Sequence, residues 1–255
     1  VKTYRKKIDL GEGKFAYEQT AESYKYGKMI IKKIKQKWAP PSYHFHYQKG
    51  GHLAALNAHR NSNCFSKIDL SKFYYKITKN KIIRNLKKIG FTFQEADEIA
   101  ALSTIPHNGY FVLPFGFVQS SIIASLVLSK SAIGSVFKNT PDAIRLSVYV
   151  DDILVSALDK QVLVESFSQQ ICDAAEKSNF AINTAKTVLA QTDLEIFNID
   201  ICRNKWKISD NRMSEFMVEM SLTEDDNRAE AMIKYVSNVN LAQSESMRRM
   251  RDMRG

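Results

Sequence analysis

Asp151 and Asp152 stand side by side in the run Leu146-Ser147-Val148-Tyr149-Val150-Asp151-Asp152-Ile153-Leu154-Val155, with no basic residue inside it. Two adjacent carboxylates repel each other unless a cation or a shared proton lies nearby. Hard oxygen donors on a short turn suit Mg²⁺, which is held by one or two carboxylates plus substrate phosphates. An acidic turn is also ordinary chemistry for Asp, so the pair alone leaves both readings open. A third carboxylate shifts the balance. Asp69 ends the run Cys64-Phe65-Ser66-Lys67-Ile68-Asp69, 82 residues before Asp151. If two strands bring Asp69 onto the pair, the three can hold two ions, one activating a hydroxyl and one gripping a triphosphate.

Several elements must position these groups. Apolar and β-branched residues on both sides of Asp151 and Asp152 predict a β-hairpin with the carboxylates at its turn. Cys64–Asp69 predicts a separate strand. Tyr24 to Trp38 predicts a helix, with Ile30, Ile34 and Trp38 on one face, ended by Pro40-Pro41. Residues 1–22 read as an irregular basic arm. Tyr43-His44-Phe45-His46-Tyr47 alternates and predicts a strand, with a turn at Gly50-Gly51 and a second strand through Leu53 to Leu56. His44 and His46 then form an exposed face rather than a metal site. Thr78 predicts a helix start, and Thr92-Phe93-Gln94-Glu95 a capping box. A short strand over Gly109–Leu113, caps at Ser120 and Ser121, and an amphipathic helix over Val162–Ser178 follow. Glu224, Asp225 and Asp226 open a helix through Ile233 and Val236.

These motifs, in this order, resemble those of reverse transcriptases over roughly residues 40 to 208. Tyr149-Val150-Asp151-Asp152 resembles the family's catalytic signature. Asp69, with Phe73 and Tyr74 behind it, resembles the first palm motif. Leu113-Pro114-Phe115-Gly116 resembles the Pro-Gln-Gly segment, with Phe115 where the family has Gln. Ala181–Lys186 resembles the motif that supplies a lysine, and Ile196–Asp200 falls at the primer-grip hairpin. Within the family the chain looks most like the prokaryotic branch of retrons, group II intron proteins and defence-associated enzymes.

The resemblance implies an α+β right-hand fold: an antiparallel palm sheet backed by helices, short fingers and a small helical thumb. Residues 1–63 would form the basic arm and fingers, 64–208 the palm with finger-side helices at 78–106, and 209–255 the thumb or a C-terminal extension. Asp69, Asp151 and Asp152 would ligate two Mg²⁺ ions, with Mn²⁺ as a substitute and the Leu70 carbonyl as an extra ligand. Lys186 would assist pyrophosphate departure. Tyr74 would sit under the sugar as a steric gate. Phe115, Gly116, Gln119, Lys49 and Arg60 would contact the nucleotide, with His52 beside them, and Phe197 and Asn198 the primer. The implied activity is RNA-directed DNA synthesis from dNTPs, in bacterial antiphage defence with a non-coding RNA as template or scaffold. The same site could instead support template-independent or protein-primed synthesis, or the chain could be a catalytically silent RNA-binding module.

Charge and composition agree with a nucleic-acid partner. The formal net charge is +10, and residues 1–38 hold eleven basic against four acidic side chains. Such a balance attracts phosphate backbones through counterion release. No apolar run approaches the length of a membrane helix and no signal peptide is visible. Cys64, Cys172 and Cys202 lack metal-ligand spacing and suit a reducing, cytoplasmic setting. Seven of the eight methionines lie beyond residue 210. They would fill a helical core or a homo-oligomer interface.

Overall fold

The computed structural model describes residues 3–11, 13–203 and 205–252. Its central sheet is antiparallel. β3 (Cys64–Ser71) lies in the middle, between β7 (Asp152–Ala157) on one side and β8 (Ala181–Ile182) and β9 (Val188–Gln191) on the other; β6 (Arg145–Tyr149) flanks β7. Side chains alternate between the two faces of a strand. Here Ile68 of β3 and its partner Ile153 of β7 turn into the main core, while the next pair, Asp69 and Asp152, turns to the opposite face. The register thus decides which face carries the acids, and a one-residue slip would bury them.

Helices close the buried face. α1 (Ala21–Lys37), α3 (Lys79–Lys87), α4 (Phe93–Ser103), α5 (Ser120–Ser129), α6 (Ala132–Lys138) and α7 (Gln161–Lys177) contribute to one continuous core with that face. Thr20 caps α1, Thr78 caps α3, and Thr92 with Glu95 forms the expected capping box on α4. Ser120 is not a cap, contrary to expectation. Gln119 holds that position, and the Ser120 hydroxyl donates instead to the Pro114 carbonyl at 2.7 Å. No helix among the described residues is long and apolar enough to cross a membrane. The apolar α5 and the following α6 are bent 73° apart, and α5 is buried along its length.

A second core joins β10 (Asp193–Ile196), β11 (Ile199–Cys202) and β12 (Lys205–Ile208) to α8 (Asp210–Leu222), α9 (Asp226–Ser237) and α10 (Leu241–Asp252). Packing runs unbroken across the boundary expected near residue 209. Met220, Met232 and Met247 are buried in it. Arg248 and Arg251 pair with Glu230 rather than standing free, while Met253 and Arg254 lie outside the described residues.

Two segments depart from expectation. The supposed basic arm is a hairpin, β1 (Tyr4–Asp9) with β2 (Phe15–Gln19). Its charges are cross-strand partners: Arg5 pairs with Glu18, and the Lys7 ammonium lies 3.6 Å from the centre of the Phe15 ring. The run from Tyr43 to Leu56 is no hairpin. Phe45–Tyr47 is a 3₁₀ turn and Gly51–Asn57 is α2. Short alternation misled there because both imidazoles reach one helix: His44 bonds the Ser129 hydroxyl at 2.8 Å and His46 that of Ser125 at 3.0 Å.

Behind the hairpin of β6 and β7, His59 is fully buried. Its Nδ1 lies 2.6 Å from the Ser156 hydroxyl and its Nε2 2.9 Å from that of Ser147, and Ser156 donates onward to Ser62. Burial lowers its pKa to about 3, so the ring is neutral. His59→Ala removes the partner of the Ser147 hydroxyl and leaves Ser156 only its bond to Ser62. Urea denaturation should show a loss of about 3 kcal/mol, the scale of orphaned buried polar groups plus a cavity.

Candidate active site

The hairpin of β6 and β7 closes with Tyr149 paired to Asp152, leaving Val150 and Asp151 as a two-residue turn. Such turns need positive φ at a central position. Val150 supplies it at +61°, a conformation that is rare and costly for a β-branched residue. Its N–H donates to His46 Nδ1 at 3.2 Å. Asp69 is the cross-strand partner of Asp152, so the three carboxylates meet at one end of the sheet. The far side of β3 is clamped too. The Asp69 N–H donates to Thr187 Oγ1 at 3.2 Å, and the Asn183 N–H donates to the Asp69 carbonyl at 2.9 Å. This fixes the 183–187 turn, and with it Lys186, beside the acids.

The electrostatics follow from crowding. Burial, then the charges of Asp151 and Asp69, push Asp152 up to about 6, against the pull of Lys67 and Lys186. Asp151 is also raised, mainly by burial, with Asp69 adding to the shift and Lys14 and Lys186 opposing it. Tyr74 is 7% exposed, and its hydroxyl is held protonated by burial and by the neighbouring Asp151 charge. Its ring centre lies 4.4 Å from that of Phe115. The Leu70 carbonyl belongs to a buried residue paired with Ile182.

Among the described residues, no group of three or more carboxylate, imidazole or thiolate side chains already stands in position to hold an ion. The donor set nevertheless fits a hard divalent cation. It is all oxygen, the pKa values of Asp151 and Asp152 are raised by burial and by neighbouring acids, and it needs ligands from elsewhere, as Mg²⁺ sites do.

Several expected contacts are redirected. Gly116, at φ +93°, lies against β2: a Cβ there would stand 2.5 Å from the Tyr17 carbonyl, so the close approach that needs a glycine is that of the N-terminal hairpin. Gln119 is fully buried. Its amide nitrogen donates to the Leu102 carbonyl and to Ser103, and its amide oxygen accepts from Gln19 at 3.2 Å, so its hydrogen bonds tie β2 to the end of α4. The Arg60 guanidinium lies over Trp206 of β12, 4.3 Å from the centre of its ring. Lys49 is exposed on the loop before α2, and the basic groups acting on the acidic pair are Lys14, Lys67 and Lys186 instead. His52 bonds the Tyr235 hydroxyl at 3.0 Å, on the Phe197 side.

Phe197 and Asn198 form the two-residue turn between β10 and β11, both at positive φ. The Phe197 ring lies 5.4 Å from Tyr149. Between this turn and helices α8 and α9 is a cavity of about 570 Å³, lined by Tyr149, Phe197, Asn198, Arg212, Arg228 and Tyr235 among others.

Lys14 and His46 were missed as site residues. The signal for Lys14 was a Gly11-Glu12-Gly13 turn between two stretches of possible strand. β2 docks beside Phe115 through the Tyr17 N–H, which donates to the Phe115 carbonyl at 2.9 Å. That contact carries Lys14 toward Asp151.

Comparison with known proteins agrees with this geometry. The family described as reverse transcriptase (RNA-dependent DNA polymerase) matches residues 20–216. No curated protein sequence matches the chain. The telomerase from Candida albicans, solved with a fragment of telomeric RNA, is similar in fold at a TM-score of 0.57 and 11% identity, covering 90% of this chain and 46% of the telomerase. The apo telomerase from Candida tropicalis gives 0.53 and 13%, covering 77% and 41%. The foamy viral protease-reverse transcriptase with double-stranded DNA gives 0.49 and 16%, covering 89% and 34%. This chain therefore spans less than half the length of each of these solved chains. The antiparallel sheet with its acidic end and the helices behind it have the architecture of a right-hand polymerase, and the chain belongs to the reverse transcriptase family.

Proposed function

We propose that the chain is an RNA-directed DNA polymerase of the prokaryotic type, adding dNTPs to a 3′-OH with two Mg²⁺ ions. The observation that carries this reading is the register that pairs Asp69 with Asp152 next to Asp151, with Tyr74 and three lysines around them. Asp69, Asp151 and Asp152 would hold the divalent ions. When bound, the ions supply charge neutralisation for the triphosphate and activation of the attacking hydroxyl. Mn²⁺ is expected to substitute. Resemblance to defence-associated relatives supports an antiphage role with a non-coding RNA, acting in the cytoplasm. The Arg212 and Arg228 cavity beside Phe197 and Asn198 supports a primer path between palm and thumb.

The chain's own residues do the remaining work. Clamped by Thr187 and Asn183, the end of β3 keeps Asp69 at its partner. Lys186, an exposed cation beside the acids, is placed to neutralise or protonate departing pyrophosphate. Lys14 on the N-terminal hairpin takes the triphosphate-gripping role first expected of Lys49 and Arg60. Lys14→Ala should raise the KM for dNTP about tenfold, the scale of one charge-assisted contact, with a smaller change in kcat. Steady-state incorporation at varied dNTP checks this, and an unchanged KM removes Lys14 from the triphosphate.

The activity itself is tested by single-turnover incorporation of each of the four dNTPs on a primed RNA, and again without RNA. Incorporation that follows the RNA sequence supports the proposal. Incorporation indifferent to RNA replaces it with untemplated or protein-primed synthesis. RNA binding with no incorporation replaces it with a silent module.

A further inference from the structure

We infer that His46 is a positioning residue that holds the Val150–Asp151 turn in place from outside the palm sheet. The turn has an energetic problem: Val150 sits at φ +61°, where a β-branched side chain is disfavoured. A strained conformation persists only when its surroundings over-determine it. One hydrogen bond anchors it. The Val150 N–H donates to His46 Nδ1 at 3.2 Å. Because Nδ1 accepts, Nε2 carries the proton, and it lies 3.0 Å from Ser125 Oγ in the middle of α5. Ser125 donates in turn to the Ser121 carbonyl at 2.9 Å, within the first turn of that helix.

The result is a strut from α5 through one imidazole to the backbone between Tyr149 and Asp151. Its base is firm. His46 stands on the 3₁₀ turn whose neighbour His44 is tied to Ser129 of the same helix, and Tyr47 reaches Ser125 at 3.3 Å. The ring is flanked by Tyr47 at 4.1 Å and Tyr149 at 5.9 Å between centres. α5 begins directly after the Phe115–Gly116 segment that borders Tyr74. One helix therefore sets the distance between the wall of the nucleotide pocket and the turn bearing Asp151. His46 touches no reacting group; it acts through Val150.

The kinetic part of this inference rests on the polymerase reading, whereas the geometry of the turn does not, so the experiment reads both. Three variants are compared: His46→Ala, His46→Asn and His46→Gln. Asn places its amide oxygen at the same bond distance from the backbone as Nδ1 and can still accept from Val150. Gln places its amide where Nε2 stood and cannot. A residue that merely fills space would tolerate Asn and Gln alike, and both keep the fold safer than Ala does.

Expected for Ala and Gln is a kcat roughly 10- to 100-fold lower with the dNTP KM nearly unchanged, as misplacement of a reacting group predicts, and Asn should recover most of the loss. Hydrogen exchange of the Val150 amide, resolved by mass spectrometry with residue-level fragmentation, should quicken about tenfold in Ala and Gln but not in Asn. Equal kcat and equal exchange for Asn and Gln, or wild-type exchange in the Ala variant, overturns the inference. Should the wild-type protein incorporate no nucleotide, the polymerase reading falls and the exchange result alone decides the role of His46.

Discussion

Asp151→Asn should reduce single-turnover nucleotide incorporation by roughly 10³-fold or more, the scale of losing a preorganised charge in a catalytic site, while the protein stays folded. The same logic makes Asp152→Asn a stabilising change in the metal-free protein. Asp152 titrates near 6 in the fold against an ordinary 3.8, chiefly because it is buried and secondarily because Asp151 and Asp69 face it. A folded-state pKa that is raised means the fold holds a proton the unfolded chain has released. Stability from this group is full below about 3.8 and falls as pH rises through about 6. At neutral pH the charged group is therefore a liability, on the order of 3 kcal/mol. Thermal melts without metal should show Asp152→Asn above wild type at pH 7.5 and level with it near pH 4. Adding Mg²⁺ or Mn²⁺ should raise the wild-type melting temperature and leave the double Asp69→Asn, Asp151→Asn variant unmoved. A lower melting temperature for Asp152→Asn at pH 7.5 would contradict the crowding account. Incorporation by Asp151→Asn within about tenfold of wild type would remove that carboxylate from the chemistry.

Tyr74→Val should relax sugar selection by roughly 5- to 150-fold, measured as the ratio of kcat/KM for a dNTP to that for the matching rNTP. A 2′-hydroxyl forced against a packed ring costs about 1–3 kcal/mol, which is that range. The ring is well placed for rigidity. It is almost wholly buried, braced by Phe115 at 4.4 Å and Phe73 at 5.7 Å, and close enough to Asp151 for the carboxylate to act on its hydroxyl. Tyr74→Phe keeps the ring and should keep the selection. Loss of selection in Tyr74→Phe would assign the effect to the hydroxyl instead, and no change in Tyr74→Val would reduce Tyr74 to a core aromatic.

Much of the palm could be read from residues because its elements obey strong local rules. The hairpin at Asp151 is bounded by β-branched runs, and the helix starts at Thr78, Thr92 and Asp225 carry the expected capping side chains. Which strand paired with which was legible only through the three acids, since nothing in Cys64–Asp69 names Asp152–Ala157 as its neighbour. The misread segments share a cause. In β1 and β2 the alternating pattern is masked by charge, because the ribbon's exposed face pairs cations with Glu18 and with the Phe15 ring, while the apolar side chains it packs inward are few, Tyr17 foremost. In Tyr43–Tyr47 the polar groups of Tyr43, His44, His46 and Tyr47 reach serines of α5, which only tertiary packing reveals. Gln119 and Gly116 were assigned to substrate because polar and flexible residues beside a motif invite it. The N-terminal hairpin, 100 residues away in the chain at Gln19, turned out to be what they serve.

The meeting of Tyr17 with Phe115 and Gly116 is made by main-chain atoms on both sides. At the hydrogen-bonded seam itself the ribbon's side chains are not what is recognised, whereas one methyl group added opposite, at residue 116, would push the two segments apart. Mutational tolerance should be lopsided there: nil at the glycine, and on the ribbon restricted mainly at Lys14, Tyr17 and Gln19, whose side chains reach Asp151, a buried aromatic cluster and Gln119.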